Sequence, residues 1–195
     1  MSTTQMPPND LSHRLHAALH ASLMQQQLCL HAADLMAARD LHVISHVLTF
    51  IARQEAEHGA FMRLLLPGVP PALPAAAPLP HRPEELLRML IGREEETSGR
   101  LLPDAAADAA RAGRPRAAEA LLRIAETDRG HRARLKALLD ALEQGTLLHG
   151  SSPVSWFCTG CGCLHNGCDA PESCEGCSRS GSHFIRSDFF PLAIG

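Results

Sequence analysis

Four stretches of the chain repeat apolar residues at alternating spacings of four and three, the signature of a helix with one buried face. One seam runs Ile44, Leu48, Ile51, Glu55, His58, Met62, Leu65, and another Ala117, Leu121, Ile124, Asp128, His131, Leu135, Leu138, Leu142. A third runs Leu87, Leu90, Glu94, Thr97, Leu101, and a fourth Leu15, Leu19, Ser22, Gln26, Cys29. The pattern predicts helices over about 11–39, 41–66, 83–112 and 115–144. Asp10 is a candidate N-cap for the first. Pro83 and Pro115 suit first helical turns, and Glu84 and Glu85 follow at the positive end of the dipole. Pro103 predicts a kink, and Gly113 and Gly145 predict stops.

The connections set the topology. Residues 67–83 carry seven prolines, which forbid helix and predict a long, stiff crossover. Four helices with one long crossover describe a ferritin-like four-helix bundle better than a simple up-and-down one. The expected organisation is a leader over 1–10, the bundle over 11–148, a small cysteine-rich β domain over 152–187 and an apolar tail over 188–195. The tail suits docking on the bundle or on a partner chain, and equally a frayed end.

Composition adds little but excludes much. Tyrosine is absent and aromatics are 4%, so the core is aliphatic. The net charge of −3 does not favour nucleic acid. No apolar run reaches the roughly 18 residues of a membrane helix, and the first ten residues lack a signal-peptide core. The expectation is a cytoplasmic protein, where clustered cysteines more often bind metal than form disulfides.

The polar residues on the apolar seams are the candidate chemistry. Burying one carboxylate costs several kcal/mol unless something compensates. Three seams each carry a carboxylate near mid-length: Glu55, Glu94 and Asp128. Two add a histidine three residues on, His58 and His131, and that spacing points both side chains at one volume. A shared divalent metal satisfies this arrangement, and so does a buried acid–histidine hydrogen-bond network.

Six of the seven cysteines fall between residues 158 and 177. Cys158 with Cys161, and Cys174 with Cys177, form two C-x-x-C pairs that can close a tetrahedron of thiolates. Iron and zinc both accept that geometry. Cys163 and Cys168 are extra: spare thiols, a local disulfide, or alternative ligands. Cys29 suits a core position. Trp156 and Phe157 are expected to pack the small domain's core. Of the remaining histidines, His20 lies nearest Ser22 and is a candidate substitute ligand.

The stretch W-F-C-T-G-C-G, followed after a gap by A-P-E-S-C-E-G-C and S-H-F, resembles the rubredoxin-like domain of the rubrerythrin family. The 12 residues between the cysteine pairs match that family's short loop, and Q-E-A-E-H and D-R-G-H match its helical ligand motifs. The resemblance implies Cys158, Cys161, Cys174 and Cys177 as ligands of an iron or zinc ion. It also implies Glu55, His58, Glu94, Asp128 and His131 as metal ligands and catalytic residues of a non-haem iron site. Two family glutamates fall on Ser22 and Thr97, and both would serve one iron of a pair. The implied bundle site is therefore a di-iron, single-metal or asymmetric one. By resemblance, electrons pass from a reductase to the cysteine-bound iron and then to the bundle metal, which reduces hydrogen peroxide. A homodimer with the small domain of one chain near the bundle of the other is also implied. The alternatives are a degenerate relative acting as a metal-binding or interaction protein with a zinc module, and, third, iron storage or sensing.

Overall fold

The computed structural model describes residues 9–66, 79–187 and 189. Helix α1 spans Asn9–Ala37, α2 His42–Leu65 and α3 Pro83–Glu96. A π-helical turn, Thr97–Leu101, joins α3 to α4, Leu102–Arg111, and α5 spans Pro115–Glu143. A small sheet follows with strands β1 His149–Cys158, β2 Leu164–Asp169 and β3 Phe184–Arg186, in the order β2-β1-β3 and antiparallel throughout. Most of residues 67–83, the expected crossover, and all of the tail except Phe189 lie outside the described residues.

Two apolar clusters show how the helices run. One gathers the end of α1 (Leu28, Met36), the start of α2 (Val43, Leu48), the start of α3 (Leu86, Leu90) and the end of α5 (Leu135, Leu138). The other gathers the start of α1 (Leu15, Leu19), the end of α2 (Met62, Leu66), α4 (Leu102, Ala109) and the start of α5 (Ala117, Leu121). Helices α2 and α3 therefore point the same way, with the end of α2 and the start of α3 at opposite ends of the bundle. That is why the connection is long, and it gives the four-helix arrangement anticipated above. At the second end, Arg14 of α1 reaches Asp104 and the buried Asp108 of α4, each at 2.7 Å.

Several local expectations are corrected. Helix α1 begins at Asn9, ahead of the expected residue 11. The Pro103 disturbance is a π turn rather than a simple kink. Proline has no N–H, and its ring crowds the carbonyl four residues back, at Gly99; the widened turn encloses that residue. The extra residue in the turn moves the seam from Leu101 to Leu102, which is fully buried. On α1 the buried amide is Gln25, not Gln26. The sheet begins at His149, which pairs with Asp169 of β2.

The small domain rests on the α1/α2 end of its own bundle. Trp156, Cys158, Cys174 and Phe184 form its core. Phe157 points the other way, as strand alternation requires, and packs with Ile185 and Phe189 on the bundle cluster. Ser182 Oγ donates to Asp40 at 2.9 Å, and the His183 ring stacks on His42 at 3.8 Å. A cavity of about 260 Å³ remains between α2 and the sheet, lined by residues such as Phe50, Arg53 and Ile185, and no candidate ligand borders it.

Candidate metal centres

Between the two apolar clusters lies a layer of buried polar side chains: Ser22, Gln25, Glu55, His58, Glu94, Thr97, Asp128 and His131. The helical seams predict this layer except for Gln25, because each of the other polar residues interrupts an apolar stripe midway along its helix. Donor atoms of Glu55, Glu94, Asp128 and His131 lie within 4.8 Å of one another. His131 Nδ1 is 3.3 Å from Glu55 Oε1, 3.5 Å from Glu94 Oε1 and 3.8 Å from Asp128 Oδ1. His58 stands beside this group: its Nδ1 is 3.2 Å from Asp128 and 3.5 Å from Glu55. Its ring lies against that of His131 at 5.9 Å. His20 is not among the grouped donors.

The donor chemistry fits a cation at the centre. Both oxygens of Glu55, both of Asp128 and one of Glu94 are buried, and the nitrogens facing Glu55 and Asp128 are those of His58 and His131, which can donate only when Nδ1 is protonated. His131 Nε2 donates to Gln54 Oε1 at 2.8 Å, so that nitrogen carries the ring proton. The lone pair of Nδ1 then faces three carboxylates. Lone pairs of like sign converge there unless a proton or a metal ion sits among them.

Without metal, protons take that role, and the site's acidities show it. Burial would lower His131, but its bonds to Glu55 and Glu94 prevail and push it up to about 9. His58 is likewise opposed by burial, yet Asp128 and Glu55 push it up to about 9. Burial would raise Glu55, but His131 and His58 outweigh it and pull the carboxyl down to about 2. Burial pushes Glu94 up to about 7 despite its contact with His131. Asp128 is raised as well, by burial first and by the Glu55 charge. Cys29, also buried, is raised by desolvation and by the nearby Glu94 and Glu55.

Gln25 and Arg93 carry no signal in the sequence analysis, and Gln54 enters it only as the first residue of Q-E-A-E-H, without a role. Gln25 Nε2 donates to Glu94 Oε1 at 3.0 Å, and its own Oε1 accepts from Arg93 Nε at 3.1 Å. The run of three glutamines at 25–27 hid which one faces inward, although Gln25 lies three residues after Ser22 on the same face. Glu95 and Glu96 turn outward to Arg132 and Arg100.

The second centre lies in the small domain. Cys158, Cys161, Cys174 and Cys177 bring their sulfurs within 4.8 Å of one another. The Cys158–Cys177 and Cys161–Cys174 sulfur separations are 3.7 and 3.5 Å. A tetrahedron with metal–sulfur bonds of about 2.3 Å has edges of roughly 3.8 Å, so the thiols fit one ion. Two tight turns build the cage: Gly162 N–H donates to Cys158 O at 2.9 Å, and Ser178 N–H to Cys174 O at 2.8 Å. Burial opposes the Cys174 thiolate, but the Cys177 and Gly176 N–H groups favour it and bring the thiol down to about 6. The Cys163 N–H favours the Cys161 thiolate, but Cys174 and Cys177 push that thiol up to about 12. A bound cation removes this competition by taking all four as thiolates. Cys163 and Cys168 are free thiols outside the group.

No protein-family model matches the chain. A Methanocaldococcus jannaschii protein provisionally named rubrerythrin is 33% identical over 100 residues, which is 51% of this chain and 49% of the relative. The match thus spans about half the length of that relative. Rubrerythrin of Clostridium perfringens is 28% identical over 147 residues, covering 72% of this chain and 75% of the relative. Rubrerythrin of Nitratidesulfovibrio vulgaris is 26% identical over 144 residues, with the same two coverages. By fold, the chain is similar to nigerythrin in a mixed-valence state, with a TM-score of 0.62 and 18% identity over 95% of this chain and 90% of that one. The chain is thus similar to rubrerythrins by sequence and to nigerythrin by fold, and the helical layer and the cysteine cage agree with both likenesses.

Proposed function

We propose that this chain is a non-haem iron oxidoreductase of the rubrerythrin type that reduces hydrogen peroxide to water. The observation that carries the proposal is the convergence of Glu55, Glu94, Asp128 and His131, three buried carboxylates and one imidazole whose donor atoms lie close enough to share one ion. Iron in the two sites would supply the redox chemistry: one-electron carriage at the four thiolates, and delivery of the two electrons that, with two protons, convert one peroxide to two waters. The chain's own residues hold and orient. Glu55 and Asp128 anchor the metal, Glu94 and His131 complete its donors, and Gln54 keeps His131 in the tautomer that presents Nδ1. His58 Nδ1, between Asp128 and Glu55, is placed to hold a proton beside the reacting centre. The apolar clusters above and below keep bulk water away from that layer. A reductase as electron donor and a homodimer are part of the same proposal.

The test is Glu55→Ala in the full chain. It is expected to abolish peroxide consumption while the visible spectrum of the cysteine-bound iron persists. Turnover at the wild-type rate would sink catalysis at the bundle. A second reading, a metal-binding protein with a structural zinc module and no peroxidase activity, is favoured by Ser22 and Thr97, which bring no carboxylate to the buried layer. Colourless protein with one zinc per chain and a metal-free bundle would select it.

A further inference from the structure

We infer that the bundle of this chain holds one divalent metal ion rather than two, and that the Gln25 amide stands where ligands to a second ion are needed. This rests on the preceding reading that the bundle binds a metal.

The donors fall unevenly around the buried layer. Glu55, Glu94, Asp128 and His131 come from α2, α3 and α5, and they are near enough to share one ion. Helix α1 brings Ser22 and Gln25 to the layer, at 0% and 3% exposure, and neither carries a charge. Gln25 is held at both ends of its amide. Its Nε2 donates to Glu94 Oε1 at 3.0 Å and approaches Leu90 O at 3.4 Å. Its Oε1 accepts from Arg93 Nε at 3.1 Å, which fixes the amide's orientation. The α1 side therefore presents N–H hydrogens to the carboxylate layer, with a guanidinium directly behind. Positive hydrogens and an arginine repel a second cation where a carboxylate would attract one.

The other two groups do not compensate. Thr97 Oγ1 donates to Arg93 O at 3.0 Å, so its hydroxyl proton is used within its own helix. Ser22 Oγ is buried with no partner, a single neutral oxygen. His58 meets Glu55 and Asp128 from outside the four-donor group, so an ion on that side would have one nitrogen of its own and oxygens shared with the first. Hard divalent ions take about six donors, and that supply is too small for a pair.

The same geometry makes Gln25 a positioning residue. It ties Glu94 Oε1 to α1 and leaves Glu94 Oε2, which has no protein partner, for the ion.

The experiment is a Mn²⁺ titration of the full chain, with the cysteine site filled by Zn²⁺, followed by equilibrium dialysis and electron paramagnetic resonance. One Mn²⁺ per chain with the spectrum of an isolated ion is expected. Gln25→Leu should weaken binding by about tenfold or more and alter that spectrum as Glu94 reorients, with the stoichiometry unchanged. Two Mn²⁺ per chain with a spin-coupled spectrum would overturn the single-ion inference and leave the proposed function standing. No binding by the bundle would overturn both. Unchanged affinity and spectrum in Gln25→Leu would remove Gln25 from its role. The count on the unmodified chain decides the nuclearity even where the variant does not fold.

Discussion

At Glu55 a fully buried carboxylate meets two imidazoles, and the protons shared among them set how the metal-free protein responds to pH. His58 and His131 are raised from the ordinary 6.5 to about 9. Their contribution to stability is complete below 6.5 and is lost as pH rises through 9. Glu94, raised to about 7, acts in the same direction: its contribution is complete below its ordinary 4.5 and is lost as pH rises through 7. Glu55, lowered to about 2, acts oppositely: its contribution is present above 4.5 and is lost as pH falls toward 2. The thermal denaturation midpoint of metal-free protein should therefore be highest near pH 4.5, fall toward pH 6.5 as the Glu94 contribution is lost, and fall further toward pH 9 as those of the two histidines follow. A midpoint that rises from pH 6.5 to 9 would contradict this charge arrangement. Gln54 offers a second test at this scale. Gln54→Leu removes the acceptor of the His131 Nε2–H and should weaken bundle metal binding by about tenfold, measured by competition with a chelator.

At the scale of the element, the backbone matters more than the side chains. The π turn Thr97–Leu101 shifts the phase of everything after it, so α4 buries Leu102, Ala105, Ala106 and Ala109. A periodicity counted straight through Pro103 could not anticipate that shift, since a widened turn adds a residue without changing composition. The cysteine turns show the converse. Gly162 follows Cys161 at φ +82°, and Ser178 occupies the equivalent place after Cys177 at φ +60°. A side chain in the left-handed region is strained, because Cβ approaches the following carbonyl. Ser178→Gly should therefore stabilise the small domain by about 1 kcal/mol, read as higher resistance to chelation. A loss of stability would show that the serine side chain contributes more than its backbone costs. Gly59 meets a different constraint. A Cβ there would come within 3.0 Å of Leu23, so this glycine sets how closely α1 approaches α2 one residue past His58.

Across the whole molecule, two cores of unequal size are joined by a thin contact. Among the described residues the small domain's own core is Trp156, Cys158, Cys174 and Phe184, with Ile185 buried against the bundle instead, which is too little to hold a fold without its metal. Trp156 is the chain's one tryptophan, and its Nε1 donates to Gly167 O at 3.0 Å inside that core. Stripping the cysteine-bound metal should shift Trp156 emission to the red while the helical circular dichroism stays. Loss of both signals together would mean that the bundle depends on the small domain.

Much of this protein is legible along the chain, and the reason is periodicity. A stripe such as Leu48, Ile51, Glu55, His58, Met62 specifies both a helix and the polar residues that it must bury. Two C-x-x-C pairs specify a cage, because each pair spans one edge of a tetrahedron within a single turn. The long proline-rich connection announces that two helices run parallel. None of these needs knowledge of a distant residue. What depended on tertiary structure was every contact between elements whose registers are independent. Gln25 rather than Gln26 faces Glu94 because α1 has its own rotation about its axis. His58 falls beside the four-donor group, and Gln54 meets His131, because α2 and α5 slide into one relative height out of several that their apolar stripes permit. Helical period determines which face of a helix is buried, and only packing decides which buried groups meet.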